Sequence, residues 1–209
     1  DIAVNSVDWF FTTETFVPGG GHRTDHNVDY SDMAYCFEGL YRADAWNDDR
    51  WKQKIDDYYA SVESTTWNNA TGLYGHMLGS GLDYHWARGH GWWIQTFSNI
   101  MDYYGGEDAA EIRENFERAA DNLIRYQDGL WHKQITNPTT FLDASGGAMI
   151  AAGMAESFLR GELGVEALES AMEAIRTLTV DHLESDGTLT GTHRHNAPSP
   201  DPFPYTQEA

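Results

Sequence analysis

The sequence has little that would cross-link the chain or anchor it in a membrane. It contains one cysteine, Cys36, among 209 residues, which excludes an intramolecular disulfide. Apolar neighbours such as Phe37 are typical of a buried, unreactive thiol rather than a nucleophile. No apolar run is long enough to span a bilayer, so we expect no membrane partner. We expect a cytoplasmic location, with secretion as the alternative because the chain starts at Asp1 rather than at methionine.

Positive charge is scarce. Lys52, Lys54 and Lys133 are the only lysines, and 13 Lys plus Arg stand against 33 Asp plus Glu, which gives a formal net charge of −20. Nucleic acid is excluded as a partner because phosphate binding needs a basic patch, and the arginines do not cluster. A lysine-poor acidic surface is typical of proteins that stay soluble in high salt, where screening removes self-repulsion. We therefore expect a halophilic source.

Hydrophobic periodicity indicates an all-α fold. Apolar residues recur at helical spacing, and strand alternation does not recur. One such stripe, in the last predicted helix, contains Val165, Leu168, Met172 and Ile175. The composition, 41% hydrophobic, is sufficient for one sizeable core. The pattern predicts a single domain over 1–209 with helices near 3–16, 31–45, 48–64, 87–104, 107–126, 145–160 and 164–183.

The segment from Thr71 to Trp92 has the composition of a ligand-binding site. It combines glycines with histidine, arginine and several Trp and Tyr rings, more closely spaced than core packing requires. Glycine lets the backbone approach a ligand, and aromatic faces suit sugar rings. Arg88 and Trp92 are four residues apart, so both project from one side of a helix that starts near Trp86. Unpaired N–H groups at such a helix start favour an anion.

Four motifs resemble those of the unsaturated glucuronyl and rhamnogalacturonyl hydrolases. TGLYGHM, WARGHGWW, DGLWHKQI and FLDASGGAMIAAGM are similar, in the same order, to the family's TGLYYHG, WARGNGW, DGLWHQ and YLETSASAMF. The resemblance covers roughly Val28 to the C-terminus. It implies an α/α barrel of helical hairpins that hydrates the 4,5-double bond of an unsaturated uronic acid at the end of an oligosaccharide. It implies no cofactor.

The resemblance also assigns roles to individual residues. Asp29 is similar in position to the family's general acid and base, which protonates C4 of the sugar and helps water to attack C5; a helix N-cap is the alternative role. Arg88 and Trp92 match the pair that binds the uronate carboxylate and stacks on the sugar, and a structural ion pair is the alternative for Arg88. His76 matches a histidine near the uronate, with structural packing as its alternative.

Four more residues are predicted at the substrate. They share histidine or tryptophan side chains in or beside the motifs: His22, Trp86, His90 and Trp131. His22 precedes the candidate acid, as a functional histidine does in the family, and His90 stands where the family usually has Asn. An alternative is a metal site formed by His22, Asp25, His26 and Asp29, although no recognised metal-binding spacing supports it.

The predicted helices are fewer than the roughly dozen of the family's barrel. The family also has a long stretch before the part that aligns with Val28, including a second carboxylate without a counterpart here. We therefore expect a shortened or partial barrel, incomplete at its N-terminus, with a homo-oligomer or a barrel-completing chain as candidate partners. Two other functions stay open: a catalytically inactive carbohydrate-binding remnant, and a sugar epimerase or isomerase on a related barrel.

Overall fold

Four helices dominate the computed structural model, which describes residues 22–23, 28–29, 60, 62–78, 84–101 and 110–192. A π-helical turn, Leu178–His182, follows the last of them, and residues 60 and 62–65 are also helical. The helices are α1 (Ala87–Met101), α2 (Ala110–Arg125), α3 (Ala144–Leu159) and α4 (Val165–Thr177).

The predicted all-α class is confirmed by these helices. They match the four predicted from residue 87 onward to within a few residues at most boundaries. The predicted helices at 3–16 and 31–45 lie outside the described residues, as does most of the one at 48–64.

Five strands of two residues each were not predicted. The strands are β1 (His22–Arg23), β2 (Val28–Asp29), β3 (Trp67–Asn68), β4 (Leu73–Tyr74) and β5 (Met77–Leu78). In one antiparallel sheet the strands run in the order β1, β2, β5, and β3 pairs with β4 in a second sheet. Segments this short show no alternation of apolar and polar residues, so the sequence pattern does not reveal them.

The core of the described part lies between the helices. On α2, the buried stripe falls at helical spacing, with Phe116, Ala119, Ala120 and Leu123 all at most 1% exposed. On α4 the helix was predicted, but the apolar stripe expected to face the core was wrong. Val165, Met172 and Ile175 are more than half exposed, whereas the buried face consists of the small residues Ala167, Ala171 and Ala174, which let α4 pack closely.

Glycine lets α3 approach the N-terminus of α1. A Cβ on Gly146 would lie 2.7 Å from the Ala87 Cβ and 3.0 Å from the Arg88 nitrogen. The three atoms nearest to a Cβ on Gly147 would belong to the Leu130 side chain, with its terminal Cδ2 methyl closest at 2.8 Å. The atoms near Gly146 cannot move without shifting the backbone of α1, whereas the atom nearest to Gly147 is the end of a flexible side chain.

We therefore expect Gly146→Ala to destabilise the protein although alanine favours helix. Overpacking costs about 1–3 kcal/mol, against a propensity gain of about 0.5–1 kcal/mol. The net loss should lower the thermal midpoint by several degrees, measured by circular dichroism. Gly147→Ala is the matched control and should change the midpoint little. Equal midpoints for the two variants would contradict the close approach of α3 to α1.

Candidate functional site

Loop segments meet at the N-terminus of α1 and hold one another through backbone hydrogen bonds. The His76 N–H donates to the Tyr84 carbonyl (2.8 Å), and the Ala87 N–H donates to the Lys133 carbonyl (3.0 Å). The Asp143 N–H donates to the Trp131 carbonyl (2.9 Å), two residues before Lys133. These bonds fix the backbone around the first turn of α1, so the side chains there are held in defined positions.

Arg88 lies in that first turn between an aromatic ring and a carboxylate. Its guanidinium carbon is 4.6 Å from the centroid of the Trp86 ring, a cation–π arrangement. Its Nε is 4.0 Å from Oδ2 of Asp143, whose side chain is fully buried. Nε and Nη2 of Arg88 are buried and have no hydrogen-bond partner among the described residues.

More polar atoms without partners surround Arg88. The Tyr84 hydroxyl, the Trp86 Nε1 and the Asp143 Oδ2 are buried and make no hydrogen bond within the described part of the chain. Buried polar groups are nearly always hydrogen-bonded in folded proteins, because leaving one unpaired costs about 1–3 kcal/mol. Several donors and one acceptor in one place therefore indicate a site that binds a polar ligand.

The Tyr84 hydroxyl keeps its proton at neutral pH. Burial, together with the nearby Asp143 carboxylate, raises the pKa of Tyr84 to about 12, against an opposing effect of Arg88. Lys133 is 1% exposed. Burial lowers the pKa of Lys133, Asp143 acts to raise it, and Arg88 acts to lower it. Arg88 is thus the charged donor of the site, and its buried N–H groups without partners among the described residues favour an anionic ligand.

His76 is buried against the same aromatic residues. Its ring centroid lies 4.3 Å from that of Trp86 and 5.9 Å from that of Tyr84. Burial, and secondarily the positive charge of Arg88, lowers the pKa of His76 to about 3. The imidazole is therefore neutral at pH 7, so His76 can contribute a hydrogen bond or a ring face to a ligand but not a positive charge.

His90 has both ring nitrogens engaged with backbone. Its Nδ1 lies 2.9 Å from the Trp86 carbonyl, and its Nε2 accepts the Tyr74 N–H at 3.2 Å. The tautomer with the proton on Nδ1 satisfies both contacts. Burial, and secondarily His85, lowers the pKa of His90 to about 3. This placement favours a structural role, linking α1 to β4, over contact with the substrate.

These neutral buried histidines make stability depend on pH. Their folded pKa values lie below the ordinary 6.5, so below that pH the unfolded chain binds protons that the folded chain does not. The free energy of unfolding should fall as pH drops from about 6.5 toward 3, by up to about 1.4 kcal/mol per pH unit for each histidine. Midpoints measured between pH 7.5 and 5 in ~1 M salt, which screens the carboxylates, test this.

The variant His90→Asn isolates one of the two groups. An asparagine amide can still donate to the Trp86 carbonyl, but it does not titrate. We expect His90→Asn to be less stable at pH 7.5 and to lose less stability than the wild type on acidification. Parallel curves for the two proteins would show that His90 does not cause the pH dependence.

The three tryptophans predicted to contact the substrate differ in solvent exposure. Trp131 is fully buried and its Nε1 donates to the Leu123 carbonyl at 2.7 Å, an arrangement that favours a role in the core. Trp86 is also fully buried, beneath Arg88. Trp92 is partly exposed and meets Trp86 edge to face, with ring centroids 5.1 Å apart. Trp92 is therefore the best placed of the three to stack on a sugar.

Backbone pairing brings the remaining predicted residues toward this site. Asp29 lies opposite Met77, the residue after His76, and His22 lies opposite Asp29 on the other side of β2. The small sheet thus joins the Asp29 segment to the end of the TGLYGHM motif.

Within the described part, no three His, Cys, Asp or Glu side chains form a group that could hold a metal ion. Asp25 and His26, from the alternative metal site, lie outside it.

Two residues of this cluster were not predicted as functional. Asp143 precedes a run of small residues and reads as a helix N-cap, which it also is. Lys133 occupies the position of the glutamine in the similar family motif, and a lysine within such a motif, in a chain with only three lysines, is the signal that could have revealed it. No helix among the described residues is long and apolar enough to cross a membrane.

Comparisons with known proteins agree with the helical fold and the motifs. The family model of Glycosyl Hydrolase Family 88 matches residues 33–198, a range that begins just after Asp29. No curated protein matches the sequence.

Solved structures share the fold at low sequence identity. A possible member of the GH105 family from Salmonella enterica has a TM-score of 0.80 and 17% identity, over 96% of this chain and 58% of that one. Its counterpart from Klebsiella pneumoniae has a TM-score of 0.79 and 18% identity, over 94% and 56%. An unsaturated glucuronyl hydrolase responsible for glycosaminoglycan degradation, from Bacillus sp. GL1, has a TM-score of 0.70 and 14% identity, over 93% and 60%.

These likenesses confirm the predicted α/α-barrel fold class. The chain spans a little under two thirds of the length of each of these structures.

Proposed function

The chain belongs to Glycosyl Hydrolase Family 88, and we propose that it cleaves oligosaccharides that end in an unsaturated uronic acid. The observation that carries this proposal is the set of buried donors without partners around Arg88: its own Nε and Nη2, the Tyr84 hydroxyl and the Trp86 Nε1. A uronate offers a carboxylate for the guanidinium and oxygens for the neighbouring donors. Arginine suits this ligand because its planar fork binds a carboxylate through two parallel hydrogen bonds.

The proposed reaction is hydration of the 4,5-double bond. A proton is added to C4 and the oxygen of water is added to C5, which gives a hemiketal. The hemiketal opens to a ketone at C5 and a hemiacetal at C1, and the hemiacetal then breaks down to an aldehyde with release of the neighbouring sugar. Ordinary glycoside hydrolysis requires two carboxylates that flank the glycosidic bond. An enol ether is activated by protonation at carbon, so one acid that then accepts a proton from water is sufficient. Asp29 is the residue proposed for this role.

The other predicted residues bind the sugar in this proposal. Arg88 binds the uronate carboxylate, Trp92 stacks on the sugar ring, and His76 contributes its neutral ring. Support for these roles comes from the partial exposure of Trp92, the position of Arg88 at the start of α1, and the short ring distances around Trp86. The sugar attached to the uronate makes no contact that the proposal requires, so short unsaturated disaccharides should serve as substrates.

Incubation with unsaturated disaccharides made by polysaccharide lyases tests the proposal. We expect the ultraviolet absorbance of the conjugated double bond to decay at a rate proportional to enzyme concentration. The assay is run both in dilute buffer and in molar salt. The corresponding saturated disaccharides are the control and should remain intact. Binding without any decay would replace the proposal with a carbohydrate-binding role, and absence of both binding and decay would reject it altogether.

A further inference from the structure

The carboxylate of Asp143 is held rigidly at the start of α3. Its Oδ1 accepts hydrogen bonds from the Ser145 N–H (3.0 Å), the Gly146 N–H (3.2 Å) and the Ser145 hydroxyl (2.6 Å). The side chain is fully buried, and the Asp143 N–H is bonded to the Trp131 carbonyl. The second oxygen, Oδ2, therefore has a fixed position in space.

Capping alone does not account for an acid at this position. Asparagine and serine cap helices about as well as aspartate, without the cost of burying a charge. The two oxygens of Asp143 also have different environments. Oδ1 performs the capping, whereas Oδ2 makes no hydrogen bond within the described residues and faces the Arg88 Nε at 4.0 Å. The charge of Asp143 is thus directed at Arg88.

The separation of this pair leaves Arg88 able to bind something else. At 4.0 Å the two groups attract each other strongly in a buried site but do not form a hydrogen bond. The Trp86 ring covers one side of the guanidinium, with 4.6 Å between its centroid and the guanidinium carbon. Arg88 is therefore oriented by a ring and a fixed charge while its Nε and Nη2 hydrogens remain available.

We infer that Asp143 is a positioning residue that orients the Arg88 guanidinium for a ligand carboxylate, an inference that rests on the proposed function of this site. A carboxylate beside an anion-binding arginine would repel the ligand if its charge were not offset. The guanidinium itself supplies the offset, because its Nε lies 4.0 Å from the Asp143 Oδ2 and the two opposite charges cancel.

The neutral variant Asp143→Asn tests this inference because an amide keeps the cap and removes the charge. We expect KM for the unsaturated disaccharide to rise about tenfold or more, as when a charge-assisted hydrogen bond is lost, with kcat nearly unchanged. Asp143→Glu keeps the charge, matches the glutamate of the similar family motif, and should restore much of the affinity. Asp143→Ser, a second neutral cap, should behave like Asp143→Asn, and it serves the same purpose if the Asn variant does not fold.

Ser145→Ala is the structural control. It removes one hydrogen bond to Oδ1 and leaves the charge in place, so it should lower the thermal midpoint without raising KM. A readout without ligand is the nitrogen–proton NMR signal of the Arg88 Nε, assigned by its loss in Arg88→Lys. We expect a sharp signal in the wild type and Ser145→Ala, and a broadened one in Asp143→Asn because the side chain becomes mobile.

The outcomes separate this inference from the proposed function. If the wild type turns over the disaccharide and Asp143→Asn binds it equally well or more tightly, Asp143 does not position Arg88, and the proposed function stands. If the wild type neither binds nor turns over the sugar, the proposed function fails, and the NMR signal alone decides whether Asp143 orders Arg88. A sharp Arg88 signal in Asp143→Asn overturns the inference in either case.

Discussion

Replacing Asp29 by Asn is expected to lower kcat by ~10²–10⁴-fold on unsaturated disaccharides while binding remains, because positioned acid–base groups typically contribute that much. The proposed hydration needs a group that gives a proton to carbon and then accepts one from water, and an amide does neither at neutral pH. The backbone register places Asp29 opposite Met77, the residue after His76. Steady-state kinetics, with binding measured separately by calorimetry, give the two quantities.

Asp32→Asn is the matched control for Asp29→Asn. The two aspartates are three residues apart, and the resemblance assigns a catalytic role to Asp29 alone. Asparagine caps helices about as well as aspartate, so neither variant should lose much stability if either residue caps a helix. The reverse order of activities, with Asp32→Asn inactive and Asp29→Asn active, would show that the acid was assigned to the wrong residue.

Arg88→Lys is expected to weaken binding of the unsaturated uronate roughly ten- to a hundredfold although the charge is retained. An ammonium cannot form two parallel hydrogen bonds to a carboxylate, and losing a charge-assisted hydrogen bond costs about 1.5–3 kcal/mol. A shorter head group also cannot fill the space between the Trp86 ring and Asp143 as the guanidinium does. Calorimetric titration of the disaccharide into the Asp29→Asn background gives the affinity without turnover.

Arg118→Lys is a control of the same chemistry away from the site. Arg118 also lies over a tryptophan, with its guanidinium carbon 5.5 Å from the Trp67 ring, but it is exposed and its Nη2 donates to the Asn69 carbonyl. Its replacement should leave the affinity unchanged. Equal affinities for Arg88→Lys and the wild type would show that Arg88 does not bind the carboxylate.

Long periodic segments made the helices predictable from sequence. In α1 and α2 the apolar residues recur over four turns, and packing along one face decides the structure in such segments. The start of α1 at Ala87 and the place of Arg88 in its first turn were also predicted. The buried face of α4 was not predicted. One face carries alanines and the other carries larger apolar residues, so hydrophobicity alone does not show which face is buried.

The site was only partly predictable, because motif membership does not fix the direction of a side chain. Trp131 and His90 belong to motifs similar to those of the family. However, Trp131 lies in the core and donates its N–H to a backbone carbonyl, and both ring nitrogens of His90 are hydrogen-bonded to backbone groups. Asp143 is distant from Arg88 in sequence and reads as a simple cap. Their approach depends on the close packing of α3 on α1 at Gly146, a tertiary feature that no local pattern contains.

The position of the added hydrogen distinguishes hydration of the double bond from direct cleavage of the glycosidic bond. The reaction is run in D₂O with an unsaturated disaccharide, and the released uronate is trapped at once with borohydride and examined by NMR. A positioned acid delivers its proton to one face of the ring, so the account predicts one deuterium at C4 in a single configuration. Direct cleavage of the glycosidic bond, followed by spontaneous rearrangement in solution, would give C4 deuterium in both configurations, and that result would contradict the account.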